Sequence, residues 1–179
     1  MLLVDYQQRN LTFSEKGKRI SIRPEQNEIV QAYDIQRYFN DLYDGQARRP
    51  QSADGLYLGR LPDSRNFTIV IELEGDATSF EDAAQQVKAT IEHLCNNFER
   101  PMLRDDGYRL HQSAADQYPV NQNHEILGIV VGSSAGRLPG FKPGKTADIR
   151  WIISRIPSRS PNLQYSLQTL CQEIQKNFR

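Results

Sequence analysis

Three kinds of hydrophobic spacing run along the chain, and they predict its elements in order. "NLTFSEKGKRISIRP" has two short β-prone runs around the turn residues Glu15 to Gly17, which predicts a β-hairpin stopped by Pro24. In "EQNEIVQAYDIQRYFNDLYDG" the residues Ala32, Ile35, Phe39 and Leu42 recur at helical spacing and Gly45 follows, so a helix is predicted over 25–45. "GLYLGRL" and "FTIVIELEG" read as two strands joined by the turn "PDSRN". Ser79 is a good N-cap with Glu81 and Asp82 in the first turn, and the stripe Phe80, Ala84, Val87, Ile91 and Leu94 carries a helix to about Asn97. "EILGIVVGS" and "DIRWIISRIP" are apolar strands of the buried type. Between them lies a Gly/Pro loop, "SSAGRLPGFKPGKTA". "SLQTLCQEIQKNF" reads as an amphipathic helix, whereas 101–123 is polar and shows no period. The order predicts one α/β domain over 1–179, a mixed β-sheet with helices on both faces.

Within this pattern one stretch stands out. In "TIVIELEGD" strand alternation turns Ile69, Ile71 and Leu73 to one face and Thr68, Val70, Glu72 and Glu74 to the other, which sets two carboxylates side by side on an apolar strand. Asp54, at the start of the preceding strand, can be brought beside them by the hairpin. Three carboxylates within about 5 Å repel by about 3 kcal/mol per pair at an effective dielectric near 20. Such a cluster needs protons, cationic partners or a divalent ion, and Mg²⁺, a hard cation that takes carboxylates and water, suits it best. A plainer account puts both glutamates on the solvated face of an edge strand.

"ADGLYLGRLPDSRNFTIVIELEG", the helix "SFEDAAQQVKATIEHL" and the strand "EILGIVVGS" together resemble the core of the PD-(D/E)XK nucleases, the restriction-endonuclease-like fold. The resemblance covers about 28–132. It implies Asp54 as the first acid of the site, Glu72 as the second and Glu28 as a helical glutamate completing it. It also implies Mg²⁺, with Mn²⁺ as a substitute, held by Asp54, Glu72 and Glu74, and hydrolysis of DNA phosphodiester bonds in a restriction or defence setting. RNA is not excluded, and a homodimer or a partner subunit is expected. Two departures from the family's motif stand in the sequence. No proline immediately precedes Asp54, and Glu74 occupies the place of the motif's lysine, as in type II restriction enzymes that carry Glu-x-Glu. Lys88, on the following helix, is the nearest cation to replace that lysine, and Gln85 or Gln86 would line the site. The alternative implied is a non-catalytic relative that binds nucleic acid or a protein.

Composition adds a charge asymmetry. The chain has 22 basic and 22 acidic residues, yet 133–179 holds eight Lys/Arg against Asp148 and Glu173, a local +6. Arg137, Lys142, Lys145, Arg150 and Arg155 there, with Arg48 and Arg49 upstream of Asp54, are the expected phosphate contacts, since basic surface attracts polyanions. No stretch approaches the ~20 apolar residues of a membrane span, and "MLLVDYQQRN" lacks a basic start. A cytoplasmic setting is expected. Cys95 and Cys171 have no metal-type spacing, and His93, His111 and His124 are scattered.

Overall fold

The computed structural model describes residues 3–15, 17–63, 65–74, 79–98, 124–132, 144–146, 149–157 and 162–176. Among the described residues a short 3₁₀ turn, Leu3–Tyr6, leads into ten strands and three helices. The strands are β1 (Gln7–Gln8), β2 (Thr12–Glu15), β3 (Lys18–Ile22), β4 (Ile29–Tyr33), β5 (Gly55–Arg60), β6 (Asn66–Leu73), β7 (His124–Gly132), β8 (Gly144–Thr146), β9 (Ile149–Pro157) and β10 (Asn162–Tyr165). The helices are α1 (Ile35–Leu42), α2 (Phe80–Phe98) and α3 (Leu167–Lys176).

Seven strands form one mixed sheet in the order β1-β4-β5-β6-β7-β9-β8. From β4 to β6 the pairing is antiparallel, whereas β6, β7 and β9 run parallel. The mixed α/β sheet expected from the sequence is therefore present. Its covering differs from the expectation on one side. Helices α1 and α2 pack Tyr38, Phe39, Ala84, Val87 and Ile91 against Leu56, Val70, Val130 and Ile153. The other face is covered by α3 together with a second, three-stranded sheet ordered β10-β3-β2. Leu167, Leu170 and Ile174 of α3 and Ile20 and Ile22 of β3 meet Ile69, Ile71, Leu127 and Ile129 there. Both faces of the large sheet are thereby kept from water. This is why β6 and β7 read as continuous apolar runs.

Most predicted elements fall where the periodicity put them. The β2–β3 hairpin pairs Glu15 with Lys18, and Gly17 takes a positive φ of 75° in its turn. Ser79 caps α2, accepting the Asp82 N–H at 3.1 Å, and Phe80, Ala84, Val87, Ile91 and Leu94 are all buried. The predicted helix over 25–45 is a correction: only Ile35–Leu42 is helical, and Ile29–Tyr33 is strand β4. Asp34 decides the boundary, because its carboxylate accepts the Arg37 N–H at 2.8 Å and starts the helix there. Before it, Ala32 and Tyr33 are buried on opposite faces of the sheet, as alternation requires. Cys171 is a free, buried thiol whose pKa burial pushes up to about 12. The side chain of Cys95 and the polar segment 101–123 lie outside the described residues.

Candidate functional site

The site is built at the C-terminal end of β6, the fourth strand of the seven. The loop before β5 is fixed by α2: the buried Thr90 hydroxyl accepts the Ala53 N–H at 2.8 Å. This bond sets the entry of the next residue into the sheet. The Asp54 N–H then donates to the Ile71 carbonyl at 3.0 Å, and the Asp54 carboxylate accepts the Leu73 N–H at 2.7 Å. The two bonds bracket Glu72. Asp54 thus uses its side chain where a regular ladder would use a backbone carbonyl, which holds the carboxylate against the strand end. Thr90→Val keeps the shape of that side chain but strands a buried N–H. We expect it to lower stability by about 1–3 kcal/mol, read from urea unfolding, because a buried donor without a partner bears its full desolvation cost.

Glu72 and Glu74 are only 1% and 7% exposed, so neither lies on a solvated edge. Glu74 is committed: its carboxylate meets the Arg155 guanidinium at 2.9 Å. Arg155, on β9, stands in the same cross-sheet row as Glu72 and Val130. It is 6% exposed, and its guanidinium carbon lies 5.2 Å from the centre of the Phe80 ring. The Glu74 N–H donates to the Val131 carbonyl at 2.9 Å. A second cation arrives from the opposite face of the sheet, for the buried Lys18 ammonium of β3 donates to the Glu74 carbonyl. The Asp54 carboxylate, the Glu74–Arg155 pair and the Lys18 ammonium therefore all attach to the last two residues of this segment, Leu73 and Glu74, next to buried Glu72. Such charges are retained in a protein interior only where opposite charge and hydrogen bonds offset their desolvation. Beside Asp54 opens a cleft of about 300 Å³, lined by Leu73, by Thr12, Ser14 and Glu15 of β2, and by Asp34.

The other expected residues distribute unevenly. Glu28 is not brought to this end. Its carboxylate accepts the N–H groups of Leu167 and Gln168 at 3.0 and 2.8 Å, capping α3. It precedes Ile29, which pairs with Arg60 at the far end of β5, about 20 Å of strand from Asp54. Lys88 is half-exposed on α2 and faces Glu92 at 3.8 Å. Of the two glutamines, Gln85 is exposed and Gln86 half-buried. Arg48 and Arg49 are exposed in the loop upstream of Asp54. Arg155 leaves the expected basic surface, being buried against Glu74. Lys145 on β8 pairs in register with Arg150 on β9. Arg137 and Lys142 lie outside the described residues. Half-buried His93 sits among Tyr38, Phe39 and Tyr43, its Nδ1 3.1 Å from the Tyr43 hydroxyl.

Lys18 escaped the sequence reading because its neighbours at the site come 56 positions later and depend on how the small sheet docks. Arg155 carried a legible signal: it shares the strand parity of Trp151 and Ile153, both core residues. Among the described residues no three His, Cys, Asp or Glu side chains form a group able to hold a metal ion. No helix among them is long and apolar enough to cross a membrane. In comparisons with family models, curated proteins and solved structures, the chain has no match.

Proposed function

We propose that the chain is a Mg²⁺-dependent endonuclease of the restriction-endonuclease-like kind, hydrolysing phosphodiester bonds of DNA. The observation that carries the reading is the pair of bonds by which Asp54 brackets Glu72 at the end of a central strand. The surrounding topology supports it: an antiparallel β5–β6 hairpin, helix α2, then β7 parallel to β6. The donor set fits a divalent ion in part. Mg²⁺ is commonly held by one or two carboxylates with water and substrate phosphate, and Asp54 and Glu72 would supply these. Glu74, paired with Arg155, is not among the ligands. When bound, the ion would supply an acidified water and offset charge on the phosphate. The chain's own residues do the rest. Thr90 and the Leu73 N–H orient Asp54, while exposed Arg48 and Arg49 attract the phosphate backbone with an affinity that falls as salt rises.

The test uses supercoiled plasmid with Mg²⁺ or Mn²⁺. The wild type is expected to nick or linearise it, and Asp54→Asn and Glu72→Gln, checked for cooperative unfolding, to lose roughly 100-fold or more of the rate. Intact plasmid with the wild type, or equal cutting by both variants, rejects the reading. A second reading is favoured by the Glu74–Arg155 pair, which neutralises the position where the family's motif carries a lysine. It is a non-catalytic protein of the same architecture that binds nucleic acid or a protein partner. It predicts no measurable Mn²⁺ binding in a calorimetric titration, whereas the nuclease reading requires binding that Asp54→Asn weakens.

A further inference from the structure

The small sheet β10-β3-β2 lies outside 28–132, the span that resembles a nuclease core, and its two faces differ in chemistry. Its inner parity is apolar: Phe13, Ile20 and Ile22 belong to the core, and Leu163 and Tyr165 pack against it. Alternation turns the other parity outward. There the strand register assembles two rows. Asn162, Arg19 and Ser14 stand side by side in one, and Gln164, Ser21 and Thr12 in the next. The Ser21 hydroxyl donates to the Leu163 carbonyl at 3.3 Å, tying β3 to β10. Arg23, two positions beyond Ser21, is exposed as well, and its N–H extends the ladder by donating to the Tyr165 carbonyl at 2.8 Å. These positions set two arginines among hydroxyls and amides, with no carboxylate. Opposite charges placed across from each other would stabilise a solvated sheet face. Exposed Arg19 has Ser14 and Asn162 there instead. The acid of β2, Glu15, stands in register with Lys18 on the inner parity.

We propose that this outer face is a docking surface for the phosphate backbone of duplex DNA, with Arg19 as its central contact. The inference deepens the nuclease reading above and rests on it for the identity of the polyanion. The side chains suit that partner, because backbone contacts to DNA come from arginine together with Ser, Thr, Asn and Gln. A face without carboxylates also does not repel phosphate. Its position points the same way. Ser14 and Thr12, the β2 members of the two rows, both line the cleft beside Asp54. Arg19 stands one strand further out, about 5 Å from Ser14 along the row. A backbone lying on the rows therefore leads over β2 into that cleft. The cleft contributes no cation of its own, since its charged lining is Glu15, Asp34 and Asp54. Grip on a polyanion must come from beside it, and the outer face of the small sheet supplies it. Such contacts carry affinity and register without reading bases.

Fluorescence anisotropy of a labelled DNA duplex across a salt series tests the contact, without divalent ion so that no cutting competes. Arg19→Ala is expected to weaken binding about 8-fold at about 0.1 M salt. It should also lower the slope of log affinity against log salt by about 0.9, the value of one neutralised phosphate. Gln164→Glu, which sets a negative charge on the same face, should weaken binding at least as much. In plasmid nicking with Mg²⁺, Arg19→Ala should raise KM and leave kcat within about twofold, because it grips substrate away from the reacting atoms. Lys176→Ala is the control. It removes the same charge from the far end of α3 and should change binding less than about twofold. An Arg19→Ala that binds like the wild type, or a Lys176→Ala that weakens binding equally, overturns the inference. So does a wild type that binds no duplex at low salt. A wild type that binds through Arg19 yet leaves plasmid intact rejects the nuclease reading and keeps the docking face.

Discussion

Arg155→Met is expected to cost about 3–5 kcal/mol of stability, the usual range for removing one partner of a buried ion pair. The reason lies in what it leaves behind. Glu74 is 7% exposed and its carboxylate is held at 2.9 Å by the guanidinium, so losing the arginine strands a charge away from water. The methionine would still cover Phe80, over which the guanidinium lies at 5.2 Å, and the loss is therefore mostly electrostatic. For a chain of this length such a cost corresponds to a fall in Tm of about 10 °C. The double variant Glu74→Leu/Arg155→Met removes both charges and should recover most of the stability, because apolar replacement of a whole buried pair is often neutral. Urea unfolding of the four proteins of the cycle measures this. A single variant within about 0.5 kcal/mol of the wild type would show that the pair carries no such weight.

Gly132→Ala should be nearly as damaging, through a single added methyl. A Cβ at Gly132 would stand 1.9 Å from a Glu74 carboxylate oxygen and 2.8 Å from an Arg155 guanidinium nitrogen. Ordinarily the tip of a side chain swings aside at little cost. Here both tips are buried and bonded to each other, so relief requires breaking the pair or bending β7. We expect a loss of about 3 kcal/mol, from overpacking together with a strained ion pair. The origin can be checked by adding Gly132→Ala to Glu74→Leu/Arg155→Met. The methyl should then cost appreciably less than in the wild type, since residues in contact do not add independently. Equal cost in both backgrounds would place the strain in the backbone instead.

How much of this could be read from residues alone depends on what fixed each element. Strand β6 and helix α2 are governed by local pattern, an apolar run with β-branched residues and a capped amphipathic stripe, and both were legible. Strand β4 was not. "IVQAYDIQRYF" satisfies helical and alternating templates at once, and only pairing with β5 and the Asp34 cap resolves it. Strand β10 was missed because "NLQY" has no buried face of its own; it is ordered by parallel pairing with β3. The placement of Asp54 beside the strand that carries Glu72 was legible because the two share a hairpin, a short-range relation. Glu28 was assigned there from a motif and instead caps α3, since the residues it serves lie 139 and 140 positions away. The cations that do reach this strand end were illegible for the same reason. Lys88 is close to Glu72 in the chain but half-exposed, whereas Lys18 and Arg155 approach only through the packed sheets.

The placement of β3 has a consequence for the newly made protein. Lys18 belongs to a strand that is flanked by β2 on one side and by β10 on the other. Arg155 and β10 leave the ribosome more than 130 positions after Lys18. Contacts so distant in the chain form late, and during synthesis they wait for both partners to emerge. The earlier segments can already be collapsed while both cations are still missing from the acidic strand end. The acidic end of β6 is thereby completed only once β9 and β10 have emerged and docked.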